Sequence, residues 1–558
     1  MKEQIVSILG AAIERARAAG ELSSPTPVIG LESPKDPAHG DIASNVALAM
    51  ARAEKKAPKV IGETIKRHIE LPPEISEVSV AGPGFINFRM APAYWHAEMR
   101  AAAASGAAFW KPRGWELRPG AGKKIQVEFL SANPTGPLTV GHGRNGVLGD
   151  AVARLYEAAG FEVTREYYFN DGGRQMRLLG ESVRARYLNE LGVEKPLPED
   201  GYQGEYIRDI ARAMKAEHGD ELLNVADVEI FRAAAVKAIM AGIMETCARL
   251  KIRFDVFTNE LDLMKDGVVD AVLRGLEDRG LTVEKDGAVW LRAEPLGLPK
   301  DAVLVRSGSD RQPTYRTPDI AYHIEKLKRG YDLIVDVFGA DHIGEHQQVV
   351  AAVKALGHDT ATIRAIIYQF VTLTRGGEKV KMSTRKATYV TLDELIDEVG
   401  ADVVRFFFLF RKSDSQLDFD LELAKKQAPE NPVFYVQYAH ARLASIFREA
   451  EKAGLAMPAD AANVNLELLG GEELDLARRA LALPDVMTAA AQALEPHRVP
   501  FYLLELAGEF HRYYNKPANR IIGPDRELSV ARMFVAGILR AAIAGGLDLL
   551  GVSAPERM

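Results

Sequence analysis

Apolar and polar positions change period along this chain. From residue 124, short apolar runs alternate with stretches of helical spacing: strands over 125–130, 161–169, 332–339 and 364–371, and helices over about 143–158 and 344–356. Strands alternating with helices predict a parallel, doubly wound α/β sheet, a Rossmann-like domain. Between about 185 and 300 the pattern is broken by helices such as Val228 to Leu250 and a hairpin-like Leu281 to Leu291, which reads as an inserted helical segment. Thr391-Leu392-Asp393-Glu394 has the spacing of a capping box and opens a helix predicted to run to about Lys412. After Asp420 strand signals stop, and the remainder reads as an all-α helix bundle, apolar at helical spacing from Ala531 to Leu550. Residues 1–110 mix helical patterns with short strands, an N-terminal α+β module, and the Pro/Gly-rich stretch from Lys111 to Gly122 reads as a linker. The domains expected are therefore 1–110, 120–420 with an insertion at about 185–300, and 425–558.

Composition changes this picture little. A chain of 558 residues is too long for one core. The net charge of −7 gives no bulk attraction to nucleic acid, so any RNA contact must come from local basic surfaces. The single cysteine, Cys247, excludes an internal disulfide framework and a thiolate-rich zinc site, and its helical context predicts a small buried hydrophobe. The N-terminus lacks the apolar core of a signal peptide, and no uninterrupted apolar run approaches the ~18 residues of a membrane span. A cytoplasmic protein with no membrane partner is expected.

Two segments carry candidate chemistry. The strand 125–130 empties into a Pro-rich loop, with His142 where the next helix begins, and this offers backbone N–H groups and an imidazole to an anion. Much further on, Lys381-Met382-Ser383-Thr384-Arg385 follows a second strand and the hinge-like pair Gly376-Gly377. A triphosphate would suit both. Each has a plainer reading: His142 as a capping or core histidine, the lysine-rich segment as a solvated face. Gly141-His142-Gly143-Arg144-Asn145-Gly146 also fits the dinucleotide fingerprint G-x-G-x-x-G, with Glu166 twenty residues beyond as the ribose acid. In that fold, however, the glycines follow the strand directly, and here about ten residues separate Leu130 from Gly141. Gly122-Lys123-Lys124 lacks the Ser or Thr of a Walker loop.

Thr139-Val140-Gly141-His142 and Lys381 to Arg385 together resemble the HIGH and KMSKS signatures of class I aminoacyl-tRNA synthetases. Ser131-Ala132-Asn133-Pro134, the run Tyr315 to Tyr322, and Gly546 to Gly551 narrow the resemblance to the arginyl-tRNA synthetases. His39-Gly40-Asp41 with Asn45, and Gly82 to Phe88, match that family's N-terminal addition. The resemblance implies arginine–tRNA ligation with ATP, L-arginine and tRNA(Arg) as partners, Mg²⁺ arriving with ATP, no protein-caged metal, and a monomer. It implies catalytic roles for His142, Thr139, Lys381 and Arg385, and ATP contacts from Gly141, His142, Gly339, Asp341, His342, Lys381, Met382 and Ser383. Arginine would be held by Glu128, Ser131, Asn133, Tyr315 and Asp319, with Asp319 on the guanidinium and Glu128 on the α-amino group. tRNA contacts would come from Phe85 and Asn87 in the first module, and from Tyr513, Tyr514, Lys516 and Arg520 in the last. Two positions depart from the family pattern: Thr139 stands for the first histidine of one signature and Thr384 for the second lysine of the other.

Overall fold

The computed structural model describes residues 2–32, 34, 39–111, 121–308, 312–380, 390–458 and 460–558. Lys381 to Arg385, and most of the linker, lie outside the described residues. The chain forms two compact units.

The larger unit comprises Ala108–Arg448, Ala482–Pro517 and Arg540–Met558. Its centre is a five-stranded parallel sheet of β1 (Lys124–Glu128), β2 (Glu162–Phe169), β3 (Val256–Asn259), β4 (Leu333–Gly339) and β5 (Ile363–Tyr368), in the order β5-β4-β1-β2-β3. Helix α1 (Val140–Ala158) follows β1, α2 (Arg316–Lys328) precedes β4 and α3 (Ile343–Ala355) follows it. Ile125, Gln126 and Val127 are all fully buried, as expected of a central strand covered on both faces. The winding reverses between β1 and β4, and the crevice beyond the carboxyl ends of those two strands is where open α/β sheets bind ligands.

The doubly wound sheet is the fold the sequence pattern predicts, but its edge strand β3 was not expected, since Val256–Asn259 falls inside the stretch of about 185–300 read as an insertion. The strand expected over 364–371 ends at Tyr368, however, and Val371 starts β6 (Val371–Arg375), which pairs in parallel with β7 (Leu417–Asp420) in a separate small sheet. The helix expected from Thr391 to about 412 is two helices, α4 (Leu392–Val399) and α5 (Ala401–Leu409), because Gly400 at φ 87° ends one and starts the next. The inserted segment contains helices Gly173–Glu190, Glu205–His218 and Glu229–Arg249, then a three-stranded antiparallel sheet that includes the predicted hairpin. Cys247 is buried there, its thiol pushed up to about 12 by burial. Beyond β7 run α6 (Pro432–Lys452) and α7 (Arg498–Tyr514).

Helix Arg526–Leu549 is long and apolar enough to cross a membrane by length and composition, although Arg532 and Arg540 interrupt it; 67% of its most apolar window is buried inside the protein. The Gly546 to Gly551 stretch at its end has a packing reason. Arg405 of α5, fully buried, donates to Leu550 O at 2.6 Å and pairs with Asp150 of α1 at 2.6 Å. A Cβ at Gly551, where φ is 67°, would lie 2.5 Å from that guanidinium, so only glycine fits.

The smaller unit comprises Met1–Ala107, Glu449–Leu481 and Ala518–Leu539. Its four-stranded antiparallel sheet has the order Leu31–Glu32, Ile42–Ser44, Phe85–Met90, Ile75–Ala81. Helix Lys2–Ala18 buries Ile5, Leu9 and Ile13 in a core shared with Ile61, Ile65, Ile86 and Phe88. Gly84 sits at φ 138° with room for no Cβ against Pro58, which accounts for the Gly-Pro-Gly turn before Phe85.

Candidate active site

The loop leaving β1 is strained and tied down. Leu130 and Ser131 both take positive φ, 67° and 44°, which costs non-glycine residues on the order of 1 kcal/mol or more each. Asn145, in the second turn of α1, offsets this by accepting from Leu130 N at 2.6 Å while donating to Val337 O of β4. Ser131 Oγ donates to Glu128 and accepts from Tyr168 N, and Asn133 Oδ1 accepts from Asn170 N. The loop is thereby laid across the end of β2. Ser131 is a brace within it, and Asn133 is half-buried, with no hydrogen bond from its amide nitrogen among the described residues.

On the phosphate side, Thr139 is the N-cap of α1 in a reciprocal capping box: its hydroxyl accepts from His142 N, and its own N–H donates to His142 Nδ1 at 3.2 Å. Accepting at Nδ1 leaves the proton of the neutral ring on Nε2. Burial holds the imidazole below its usual pKa, so the neutral form prevails at pH 7. The capping and phosphate-donor readings of His142 are thus compatible, since cap and donor use different nitrogens.

Acidic side chains gather around Tyr168 beside the loop. Asp319 lies in the first turn of α2, and Glu260, which sequence reasoning missed, starts the helix after β3. Glu260 is 4% exposed and accepts from Tyr168 OH at 2.9 Å and Asn170 Nδ2 at 2.6 Å. Burial raises Asp319 to about 6, and burial together with the Asp319 charge raises Glu260 to about 7. Neither has an ion-pair partner among the described residues. Tyr322 stacks on Tyr168 with ring centres 4.5 Å apart, forming an apolar wall. Tyr315 is 53% exposed at the N-cap of α2 and Asp319 N donates to its carbonyl, so backbone contact is what links the two. Glu260 had no signal along the chain, because the strand it directly follows, β3, was not read from the sequence.

Glu128 ends β1 with a fully buried lysine against it. Lys326 Nζ donates to Glu128 at 2.5 Å and to Asp336 of β4 at 2.7 Å. Asp336 also meets His323 at 3.1 Å and His346 at 3.4 Å, and the Lys326 ammonium beside it holds its carboxyl well below the usual range. His323, Asp336 and His346 have the donor types of a metal site, but the Lys326 ammonium already balances the carboxylate they share. Glu166, the acid of the dinucleotide reading, is fully buried and bound by Gln126, Thr258 and Arg329. It is structural.

The turn after β4 places Asp341 and His342 in the open, both more than half exposed. His342 makes no side-chain cap to α3 and bonds Glu345 at 3.0 Å, while Asp341 folds back beside Gly339. The base of the second signature is anchored to the first. Arg144, one turn into α1 and fully buried, donates to the carbonyls of Gln369, Lys412 and Ser415, which flank β6 and β7, and burial brings it down to about 10.

For RNA, the predicted residues separate. In the larger unit Tyr513 is 6% exposed and belongs to the bundle core, Tyr514 is half-buried and Lys516 is exposed. In the smaller unit Arg520 is exposed, Phe85 is half-buried, and Asn87 is 3% exposed with its amide nitrogen unpartnered among the described residues. Tyr513 and Asn87 are thus both buried in this structure. An aromatic and cationic cluster not read from the sequence lies on α6 and α7: Phe434, Tyr438 and His511 stack in series, and the Arg442 guanidinium lies 4.9 Å from Tyr438 and 5.1 Å from Tyr514. Its signal was the four-residue spacing of 434, 438 and 442 along α6.

Comparison with known proteins agrees with this arrangement. Residues 112–406 match the family model "tRNA synthetases class I (R), catalytic domain", residues 3–90 the arginyl tRNA synthetase N-terminal domain, and residues 436–558 the DALR anticodon binding domain. The arginine–tRNA ligase of Desulfotalea psychrophila is 47% identical over 95% of this chain and 94% of its own, and that of Syntrophotalea carbinolica is 47% identical over all of both. The structure of Thermus thermophilus arginyl-tRNA synthetase, 24% identical over both full chains, superposes with a TM-score of 0.76 and shares the fold. This chain belongs to the arginyl-tRNA synthetase family.

Proposed function

We infer that this chain is an arginine–tRNA ligase whose site works as follows. The observation that carries the reading is the pair Asp319 and Glu260: a half-buried and a buried acid, neither in an ion pair among the described residues, leave the site short of a cation, and a guanidinium supplies it. Glu128, with the Asn133 amide, faces the α-ammonium. An arginine carboxylate oxygen attacks the α-phosphorus of ATP, the bond to the bridging oxygen breaks and pyrophosphate leaves. His142 Nε2–H and the N-terminus of α1, with Thr139 and Gly141, stabilise charge on the α-phosphate without transferring a proton. Lys381, Met382, Ser383 and Arg385 serve the β- and γ-phosphates, which enter with Mg²⁺, and Gly339, Asp341 and His342 serve the nucleoside. The 2′-hydroxyl of the terminal adenosine of tRNA then attacks the adenylate carbonyl; AMP leaves and the hydroxyl proton passes to solvent.

The functional division is 1–110 for tRNA binding, 120–420 for chemistry and 425–558 for the anticodon side, in a protein acting as a monomer. The Tyr438–Arg442–Tyr514 platform, with Lys516 nearby in sequence, suits unpaired bases by stacking and charge. Pyrophosphate exchange with each amino acid, with and without tRNA, tests the reading: exchange with arginine alone is expected, and exchange with another amino acid in preference would sink it.

A further inference from the structure

Lys326 does more than fill a core. Its side chain has no exposed surface, its ammonium bridges Glu128 and Asp336, and it lies 4.2 Å from the centre of the Tyr322 ring. Glu128 and Asp336 are register partners on β1 and β4, at the point where the sheet reverses. Two carboxylates held side by side in the interior repel, and the ammonium between them lets both stay charged and fixed. Asp336 has two further partners in His323 and His346, whereas Glu128 has, among the described residues, only the Ser131 hydroxyl at 3.0 Å. Glu128 is therefore the member whose charge and direction depend most on Lys326.

Resting on the reading that Glu128 receives the substrate's α-ammonium, we propose that Lys326 is a specificity-determining positioning residue, which fixes Glu128 and thereby sets discrimination for the α-amino group of arginine. Without the ammonium the two carboxylates must move apart or share a proton. Either response removes a fixed, fully charged acceptor, so α-amino recognition weakens while the guanidinium pocket of Asp319 and Glu260 stays as it was.

The test uses the full-length protein in tRNA aminoacylation, comparing KM for arginine with the inhibition constant of 5-guanidinopentanoate, which keeps the guanidinium and carboxylate but lacks the α-amino group. Lys326→Met is expected to lower the preference for arginine over the analogue by about tenfold or more, the loss of a charge-assisted contact. The change should come through arginine alone, with the KM for ATP within about twofold. A merely structural role would weaken arginine, analogue and ATP together, and that outcome overturns the proposal. Glu128→Gln separates it from the reading beneath it. Unchanged preference in Glu128→Gln removes Glu128 as the α-amino partner; a collapse there with full preference in Lys326→Met overturns the role of Lys326 alone. Should Lys326→Met not fold, Lys326→Gln, neutral but still able to donate to both carboxylates, is read by the same criterion.

Discussion

Thr139 and Thr391 pair across an isolated antiparallel bridge, and each is the N-cap of its own helix in a reciprocal capping box. Leu392 N donates to Leu138 O at 2.8 Å beside it. The start of the helix that carries His142 and the segment immediately following the second signature are thus one local structure. Thr391→Ala removes the acceptor for Glu394 N and is expected to cost about 1 kcal/mol of stability, read by denaturant unfolding, while the Thr139–His142 cap persists. An unchanged midpoint would mean that the bridge, not the cap, holds this junction.

His142 separates its two jobs by nitrogen. His142→Ala should cut kcat by about 10²-fold or more, by analogy with loss of an oxyanion donor, with little change in arginine affinity. His142→Asn can still serve the cap but presents no donor where Nε2 lies, so it should recover stability without recovering turnover. Near-normal turnover in the alanine variant would remove His142 from the chemistry.

Much of this was legible along the chain. The central strands announced themselves because Ile125, Val127, Ile334 and Val335 are buried on a doubly covered sheet, where apolar runs are unavoidable, whereas the short edge strand β3 (Val256–Asn259) carries no such run and went unread. The capping box at Thr391 was visible because it is local. What stayed hidden depends on contacts across long separations: Glu260 becomes a pocket residue only when β3 ends beside β2, and Lys326 reads as a surface helix lysine until β1 and β4 place Glu128 and Asp336 on either side of it. The break at Gly400 was missed because apolar residues continue at helical spacing through Val403, Phe406 and Phe407.

Specificity should rest on the unpaired acids. Asp319→Asn is expected to weaken arginine by roughly 2–5 kcal/mol, the range for removing one partner of a buried charge pair, with ATP binding near normal. Glu260→Gln keeps its bonds to Tyr168 and Asn170 approximately in place and should cost less. Equal losses for ATP and arginine in Asp319→Asn would point to a role in helix α2 instead.

The same acids give a pH signature. Asp319 at about 6 and Glu260 at about 7 hold protons in the free folded protein that ordinary carboxylates, at 3.8 and 4.5, have already lost. Because the folded state binds more protons, stability of the free protein from these groups falls as pH rises through that window. Arginine binds the ionised acids, so its KM should drop as pH rises from about 5 to about 8, and its thermal stabilisation should grow, while the KM for ATP changes less. Measured arginine and ATP profiles that run parallel would show that the pocket acids do not titrate on binding.

The last prediction concerns the signature in which Thr384 replaces the second lysine. Charge developing on the departing pyrophosphate must still be balanced, and Lys381, Arg385 and Lys386 are the nearest cations along the chain. Lys381→Ala and Arg385→Ala should each slow adenylate formation with little change in arginine binding, because they act on the leaving group and not on the amino acid. Thr384→Lys should be tolerated or mildly activating, since it adds charge where none is lost. Single-turnover adenylate formation in the three variants decides this. Wild-type rates in both alanine variants would place the compensating charge elsewhere in the chain or on the tRNA.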